Sequence, residues 1–290
     1  MGEIRQVVVI GTGLMGTSVA LALRRAGIGV WLRDRDPAAL EQAVRLGAGL
    51  ASDPGAPVDL AVLAVPPAAV AATLHDSQRD RIAEFYTDVA SVKSSVFAAA
   101  AARGCDLATY VPGHPMAGGE KTGPAAARAD LFDGRTWAIC PTAAVRARAI
   151  AVVRRAAELT GAVPYEIGAE EHDRAAALVS HLPHLVSSVL AAQLTAADPA
   201  ALRLTGAGVR DVTRVAAGDV RLWVDILCHN ADRVAERIEA VVEDLQSAAT
   251  ELRAHAANPV EAPADRVTAL AALLRRGNDG HRRLVAGQVA

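Results

Sequence analysis

The stretch that most constrains this chain is Val7-Val8-Val9-Ile10-Gly11-Thr12-Gly13-Leu14-Met15-Gly16-Thr17-Ser18, with Val19-Ala20-Leu21-Ala22-Leu23 directly behind it. An unbroken β-branched run lacks the alternation of a half-wet strand and predicts a strand covered on both faces, as in a parallel sheet. After the glycines, Leu14, Val19 and Leu23 recur about a turn apart, which predicts a helix. Gly11, Gly13 and Gly16 have the spacing G-x-G-x-x-G. The first two permit a tight turn and close approach of a pyrophosphate to bare backbone, and the third lets the helix lie against the strand. The helix N-terminus then turns unpaired N–H groups toward the phosphates. The motif therefore predicts a dinucleotide site at Gly11, Thr12, Gly13, Leu14, Met15 and Gly16. A chain with 23 glycines can produce this spacing by chance, so the context carries the reading. A second strand, 28–33, ends at Asp34, about twenty residues downstream, where an acid bonds the ribose hydroxyls. Asp36-Pro37 competes for the same stretch as a helix cap followed by proline at the first helical position.

A third apolar strand, 60–65, runs into Pro66-Pro67 at the edge where open α/β sheets bind their ligands, so Val65 and Pro66 are expected beside the cofactor. A fourth strand near 85–89 leads through Ala90-Ser91-Val92-Lys93-Ser94 into a helix, which sets Ser91 at the mouth of the sheet. The segment from Tyr110 to Gly123 reads as an irregular loop. Dense in Gly and Pro yet holding His114, Glu120 and Lys121, it is poor core material and good site material. Strands 136–140 and 163–167 with a helix at 145–159 complete a mostly parallel, doubly wound α/β domain over 1–168.

From Gly168 the texture becomes helical, and 169–255 is read as an all-α domain that opens with a long helix to about 194. His181 and His184 fall on one face of that helix. No third ligand spacing accompanies them, so no metal is expected. Gly206 to Arg214 forms a polar island in which Arg210 and Arg214 stand one turn apart. Leu222, Ile226, Val234, Ile238, Val241 and Leu245 predict a long helix with an apolar seam, packed on its own domain, on a second subunit, or on both. Residues 256–290 read as a connector, a short helix at 265–276 and a polar tail.

At 290 residues the chain suggests two domains. The composition is 52% hydrophobic but only 3% aromatic, which favours closely packed helices over an aromatic-rich sandwich. A formal charge of −2 argues against a nucleic-acid footprint. Cys105, Cys140 and Cys228 are odd in number and scattered, so they read as small buried hydrophobes in a reducing compartment. The apolar stretch at 60–74 is too short for a membrane span and is broken by prolines. With the first strand starting so early, no signal peptide is expected, and a cytoplasmic location follows.

Taken in order, Gly11-Thr12-Gly13-Leu14-Met15-Gly16, Asp88-Val89-Ala90-Ser91-Val92-Lys93, Gly113-His114-Pro115-Met116-Ala117-Gly118, Ser180-His181-Leu182-Pro183-His184 and Arg210-Asp211-Val212-Thr213-Arg214 resemble the prephenate/arogenate dehydrogenase family of tyrosine biosynthesis. The resemblance implies an N-terminal Rossmann domain, a helical domain that forms a homodimer, and NAD-dependent oxidative decarboxylation of prephenate or arogenate. It implies that His114 accepts the hydroxyl proton, with Ser91 orienting the imidazole and touching the cofactor. Arg214 would hold a substrate carboxylate, with His184, His181 and Arg210 lining the same cleft. Asp34 favours NAD by repelling a 2′-phosphate, while Arg33 and Arg35 beside it soften that preference and leave NADP open. Gly119, where many relatives carry a hydroxyl residue, and Arg210, where some carry lysine, leave the choice of substrate open.

Other readings use the same opening fold. A 4-amino-4-deoxyprephenate dehydrogenase would reuse the same residues on an amino-substituted ring. A β-hydroxyacid dehydrogenase calls for a G-x-x-x-K-x-x-x-N helix, which the second half lacks. A non-catalytic NAD sensor has no use for Ser91, His114 and Arg214 together.

Overall fold

The computed structural model describes residues 4–257 and 268–287. The chain divides into two compact units, Met1–Arg233 and Val234–Ala290. In the first, β1 (Gln6–Ile10), β2 (Gly29–Arg33), β3 (Val58–Leu63), β4 (Ala83–Asp88) and β5 (Tyr110–Val111) form a parallel sheet in the order β2-β1-β3-β4-β5. Helices α1 (Leu14–Arg25), α2 (Pro37–Arg45), α3 (Pro67–Arg79) and α4 (Ser94–Ala102) connect the strands. The valine run of β1 behaves as its sequence requires. Val7 and Val9 enter one core with Val19, Leu23 and Trp137, whereas Val8 enters another with Leu74, Tyr86 and Tyr110. All three valines are at most 1% exposed, so both faces of the strand are covered.

A second sheet, β6 (Gly113–Pro115), β7 (Thr136–Ile139) and β8 (Val163–Glu166), is antiparallel at its first pair and parallel at its second. Helix α5 (Ala147–Leu159) precedes its last strand. The segment read as an irregular loop thus contains two short strands, and His114 is a strand residue. The Gly-Pro density has a packing cause: a Cβ on Gly113 would lie 2.9 Å from Asp88 O, Thr87 Oγ1 and Trp137 Nε1. Only a glycine lets β6 cross the end of β4 so closely.

The predicted long helix after Gly168 is one continuous run with a change of pitch inside it. α6 (Ala169–Ala176) passes through a π turn, Ala177–His181, into α7 (Leu182–Gln193). Pro183 follows the turn, and a wider turn accommodates a residue that lacks a backbone donor. Ala169–Ala196 is long and apolar enough by length and composition to cross a membrane. Its first turns, however, are tied to the start of α4 by hydrogen bonds from the Lys93 and Ser94 amides to Asp173. α8 (Pro199–Arg203), α9 (Ala207–Thr213) and α10 (Val220–His229) follow. α10 docks on α3, where Asp225 accepts from the Ala68 amide at 3.1 Å, and Ile226 enters the core that holds Val8.

The apolar seam from Leu222 to Leu245 does not belong to one helix. The chain breaks at Asn230, whose φ of −130° and ψ of 31° separate α10 from α11 (Ala231–Ala257). The side-chain Nδ2 of Asn230 donates to Asp173 O at 2.8 Å and faces His181 Nδ1 at 3.2 Å, so tertiary hydrogen bonds set the break. In the second unit, α12 (Thr268–Gly287) runs beyond the short helix expected there. Alanine, leucine and arginine outweigh Gly277 and Gly280, each costing about 1 kcal/mol. The Glu251 carboxylate accepts from the Ala269 and Leu270 amides at the start of α12, and Arg276 pairs with Asp244. Residues 258–267, with most of the expected connector, lie outside the described residues. Cys105 and Cys140 are buried as expected, but Cys228 is exposed.

Candidate active site

The glycine turn is built by contacts that no side chain would survive. Gly11 has φ +99°, and a Cβ there would lie 2.3 Å from Ala64 O; one on Gly16 would lie 1.9 Å from Gly11 O. The space above Gly13 is open, with nothing within 4 Å of its Cβ position. Gly13 caps α1 without a side-chain hydrogen bond, so the first amides of the helix remain available to an anion. Leu14 and Met15 are half-buried in the first turn. Val65 Cγ1 lies 3.3 Å from the Gly11 Cβ position, and Pro66 is exposed at the head of α3.

Asp34 stands beside this turn. Its Oδ2 accepts from the Thr12 amide and, at 2.8 Å, from Thr12 Oγ1, while Oδ1 accepts from the Asp36 amide at 2.8 Å. Burial pushes its pKa up, but hydrogen bonds from Asp36, Thr12 and Arg35 outweigh this and hold it below the ordinary carboxylate range. Asp36 also performs the competing role, accepting from the Ala38 amide as the cap of α2. An uncapped helix end, open backbone at Gly13 and an ionised acid at the end of the next strand fit NAD, with the diphosphate at α1 and a ribose at Asp34. Arg33 lies 4.0 Å from Asp53, and Arg35 is exposed.

His114 is 7% exposed. Its Nδ1 lies 2.8 Å from Nε2 of His172, whose Nδ1 lies 2.9 Å from Asp173 Oδ1. The Asp173 carboxylate also accepts from the amides of Lys93 and Ser94, both at 2.8 Å. Burial alone raises the Asp173 pKa, but bonds from His172, Ser94 and Lys93 hold it below the ordinary range. Burial drives the His114 pKa well below the usual histidine value, and the charges of His172, Lys93 and His181 act in the same direction. The ring is therefore neutral near pH 7. Ser91, expected to orient this imidazole, is half-buried and forms no hydrogen bond with it; His172 occupies that position. His172 and Asp173 carry no local signal in the sequence, because the pairing with His114 spans 58 residues.

Beneath the ring lies an ion pair with no exposure on either side chain, Lys93 to Asp88. Lys93 Nζ also donates to Gly113 O at 2.6 Å, and Tyr110 Oη donates to Asp88 Oδ2 at 2.6 Å. Lys93 therefore holds the strand carrying His114 through its side chain and the helix carrying His172 through its amide.

The loop after β6 links the cofactor turn to the helical part. Leu14 Cδ2 lies 4.0 Å from the Cβ position of Gly119, and the next residue, Glu120, pairs with Arg214 at 3.4 Å. Arg210 is exposed on α9. His184 stacks on Trp223 with ring centroids 3.5 Å apart and planes within 10°, and His181 meets the same indole edge-on at 6.4 Å. Burial lowers the pKa of His184, and it brings His181 to about 4 against a partial opposing effect of Asp173. Stability arising from a neutral His181 is complete above the ordinary histidine pKa of about 6.5 and is lost as pH falls toward the folded value. Tm is thus expected to drop between pH 6.5 and 4, and a flat Tm across that window would count against this packing.

The chain matches two family models, "Prephenate dehydrogenase, nucleotide-binding domain" over residues 19–166 and "Prephenate dehydrogenase, dimerization domain" over residues 168–262. It is 43% identical to the probable prephenate dehydrogenase NovF of Streptomyces niveus over 97% of this chain and 77% of that protein. It is 32% identical to the cyclohexadienyl dehydrogenase of Zymomonas mobilis over 86% of this chain and 89% of that one. The crystal structure of prephenate dehydrogenase from A. aeolicus, in complex with hydroxyphenyl propionate and NAD+, superposes with a TM-score of 0.82 at 26% identity, covering 98% of this chain and 99% of that one. A parallel sheet with an uncapped glycine turn, a helical second half and these matches together establish that the chain belongs to the prephenate dehydrogenase family.

Proposed function

We infer that this chain catalyses the NAD-dependent oxidative decarboxylation of prephenate to 4-hydroxyphenylpyruvate. The observation that most supports it is the buried, neutral His114, with Nε2 unpartnered among the described residues, in a chain whose glycine turn fits NAD. When bound, NAD supplies the hydride acceptor for ring C4. His114 Nε2 takes the hydroxyl proton as that hydride leaves. Loss of the ring carboxylate as CO2 leaves its electron pair in the aromatic ring, and the phenolate oxygen takes the proton back, so no net proton is released. Ser91 is proposed as a contact of the reacting ring and cofactor.

Arg214 is proposed to hold a substrate carboxylate, a task suited to a planar, permanently charged fork. Its pair with Glu120 is solvent-exposed and contributes little, so a carboxylate can replace it. Arg214→Ala is expected to raise KM by about 10- to 100-fold with kcat little changed. An unchanged KM for the ring acid would remove the clamp. His184, His181 and Arg210 are proposed to line the same substrate pocket.

We also propose a homodimer formed through the helical part. Leu178, Val179, Val186, Val189 and Leu190 are exposed along the π turn and α7, an apolar face that a second copy would cover. The matched spans support a division near Gly168 between a cofactor domain and the helical domain. The deciding experiment is a side-by-side assay of prephenate, arogenate and 4-amino-4-deoxyprephenate, each with NAD and NADP. Prephenate with NAD is expected to show the highest kcat/KM. A higher value for the amino-substituted ring would transfer the assignment to the aminated substrate, and equal use of NADP would overturn the role given to Asp34.

A further inference from the structure

We propose that His172 and Asp173 are positioning residues, which set the tautomer of His114 so that its Nε2 is bare and share the positive charge it takes on during turnover. The inference rests on the reading of His114 as the proton acceptor.

The hydrogen positions follow from the chemistry of the partners. Asp173 accepts from two backbone amides, Lys93 at Oδ1 and Ser94 at Oδ2, which favours the ionised carboxylate. An ionised carboxylate has no proton to give, so the proton in its contact with His172 sits on Nδ1 of that ring. A neutral His172 then has a bare Nε2, which can only accept. The proton between the two imidazoles is therefore on His114 Nδ1. His114 Nε2 is left as an acceptor; it is not among the polar atoms sealed from solvent without a partner. An isolated neutral imidazole in water prefers its proton on Nε2, the wrong position for a base acting there, so the chain works against the intrinsic preference of the ring.

The surrounding charges show why such a chain is needed. The titratable groups around the ring are His172 and Asp173 on α6, Lys93 before α4 with Asp88 behind it, and His181 in the π turn. The fixed positive charge of Lys93 acts against a positive charge on His114, and protonated His172 or His181 would act the same way, whereas Asp173 is the carboxylate connected to the ring through hydrogen bonds. As Nε2 gains a proton, the Nδ1–H bond to His172 and the Nδ1–H bond from His172 to Asp173 strengthen together, and no proton need leave the ring. The backbone of Asp173 is itself held by Asn230 Nδ2 at 2.8 Å, which secures the far end.

His172→Leu removes the acceptor, whereas His172→Gln restores one, since its Oε1 can receive the Nδ1–H of His114. His172→Leu is expected to lower kcat by about 10²- to 10³-fold, with KM and NAD affinity within about threefold of the unaltered enzyme, and His172→Gln to recover about tenfold or more. Nitrogen-15 NMR of imidazole-labelled protein reads the tautomer directly. The unaltered chain should show a protonated Nδ1 and a bare Nε2 at His114, a reading that needs no variant to fold; His172→Leu should reverse it. A protonated Nε2 in the unaltered protein, or full turnover in a folded His172→Leu, would overturn the proposal. Should His114→Asn abolish turnover while His172→Leu leaves it intact, only the positioning role fails. If His114→Asn itself is active, the underlying reading of the base fails.

Discussion

His114→Asn is expected to lower kcat by about 10²-fold or more while leaving NAD affinity within a few-fold. Asparagine keeps much of the volume and can hydrogen-bond to His172, but it cannot take a proton from the substrate. The ring lies on β6 and forms no part of the glycine turn that would hold the diphosphate, so the loss should fall on the chemical step. The electrostatics set the pH dependence. Burial, reinforced by His172, Lys93 and His181, keeps the imidazole neutral well below its ordinary value. A base of this kind is already unprotonated at pH 6.5, so kcat should stay level down through that pH and decline only in more acidic solution. Near-normal turnover in His114→Asn, or a decline of kcat centred at pH 6.5 or above, would remove His114 from this role.

The largest effect on stability is expected from Lys93→Met. Lys93 and Asp88 are both without solvent exposure, and removing one partner of such a pair leaves an uncompensated buried charge, at a cost of about 3–5 kcal/mol. Tyr110 Oη and the Ala90 amide still bond to Asp88 after the change, but neither brings a countercharge. The urea midpoint should therefore fall at an unchanged m-value. Lys93→Met combined with Asp88→Leu should recover much of the loss, because the stranded carboxylate is then gone. A shift of less than about 1 kcal/mol in the single variant would show that water or a shifted proton satisfies Asp88.

The elements read most easily from the sequence are those whose cause is local. The valines of β1, the glycines behind them and the proline after Asp36 act through their own backbone or nearest neighbours, so strand, turn and helix follow from spacing. Asp34 was legible for the same reason: its distance from the glycines reflects one βαβ step. His114 stood out through its composition, yet the stretch around it was misread as an irregular loop. What makes it a strand is the contact of Gly113 with Asp88, Thr87 and Trp137, remote in sequence. Asn230 shows the converse error. An apolar seam continued across it, but its bonds to Asp173 and His181 break the helix.

By itself, the sequence determined the first four strands, the dinucleotide turn and the family, because each rests on short-range periodicity or on motifs in a fixed order. Only the tertiary structure decided what surrounds His114. His172 in place of Ser91, the carboxylate behind it and the buried Lys93–Asp88 pair are brought together across several elements. The physical reason is that a proton's position on an imidazole, and the field that shifts its pKa, depend on groups within a few ångströms in space. Folding brings those groups together from segments that no spacing rule connects.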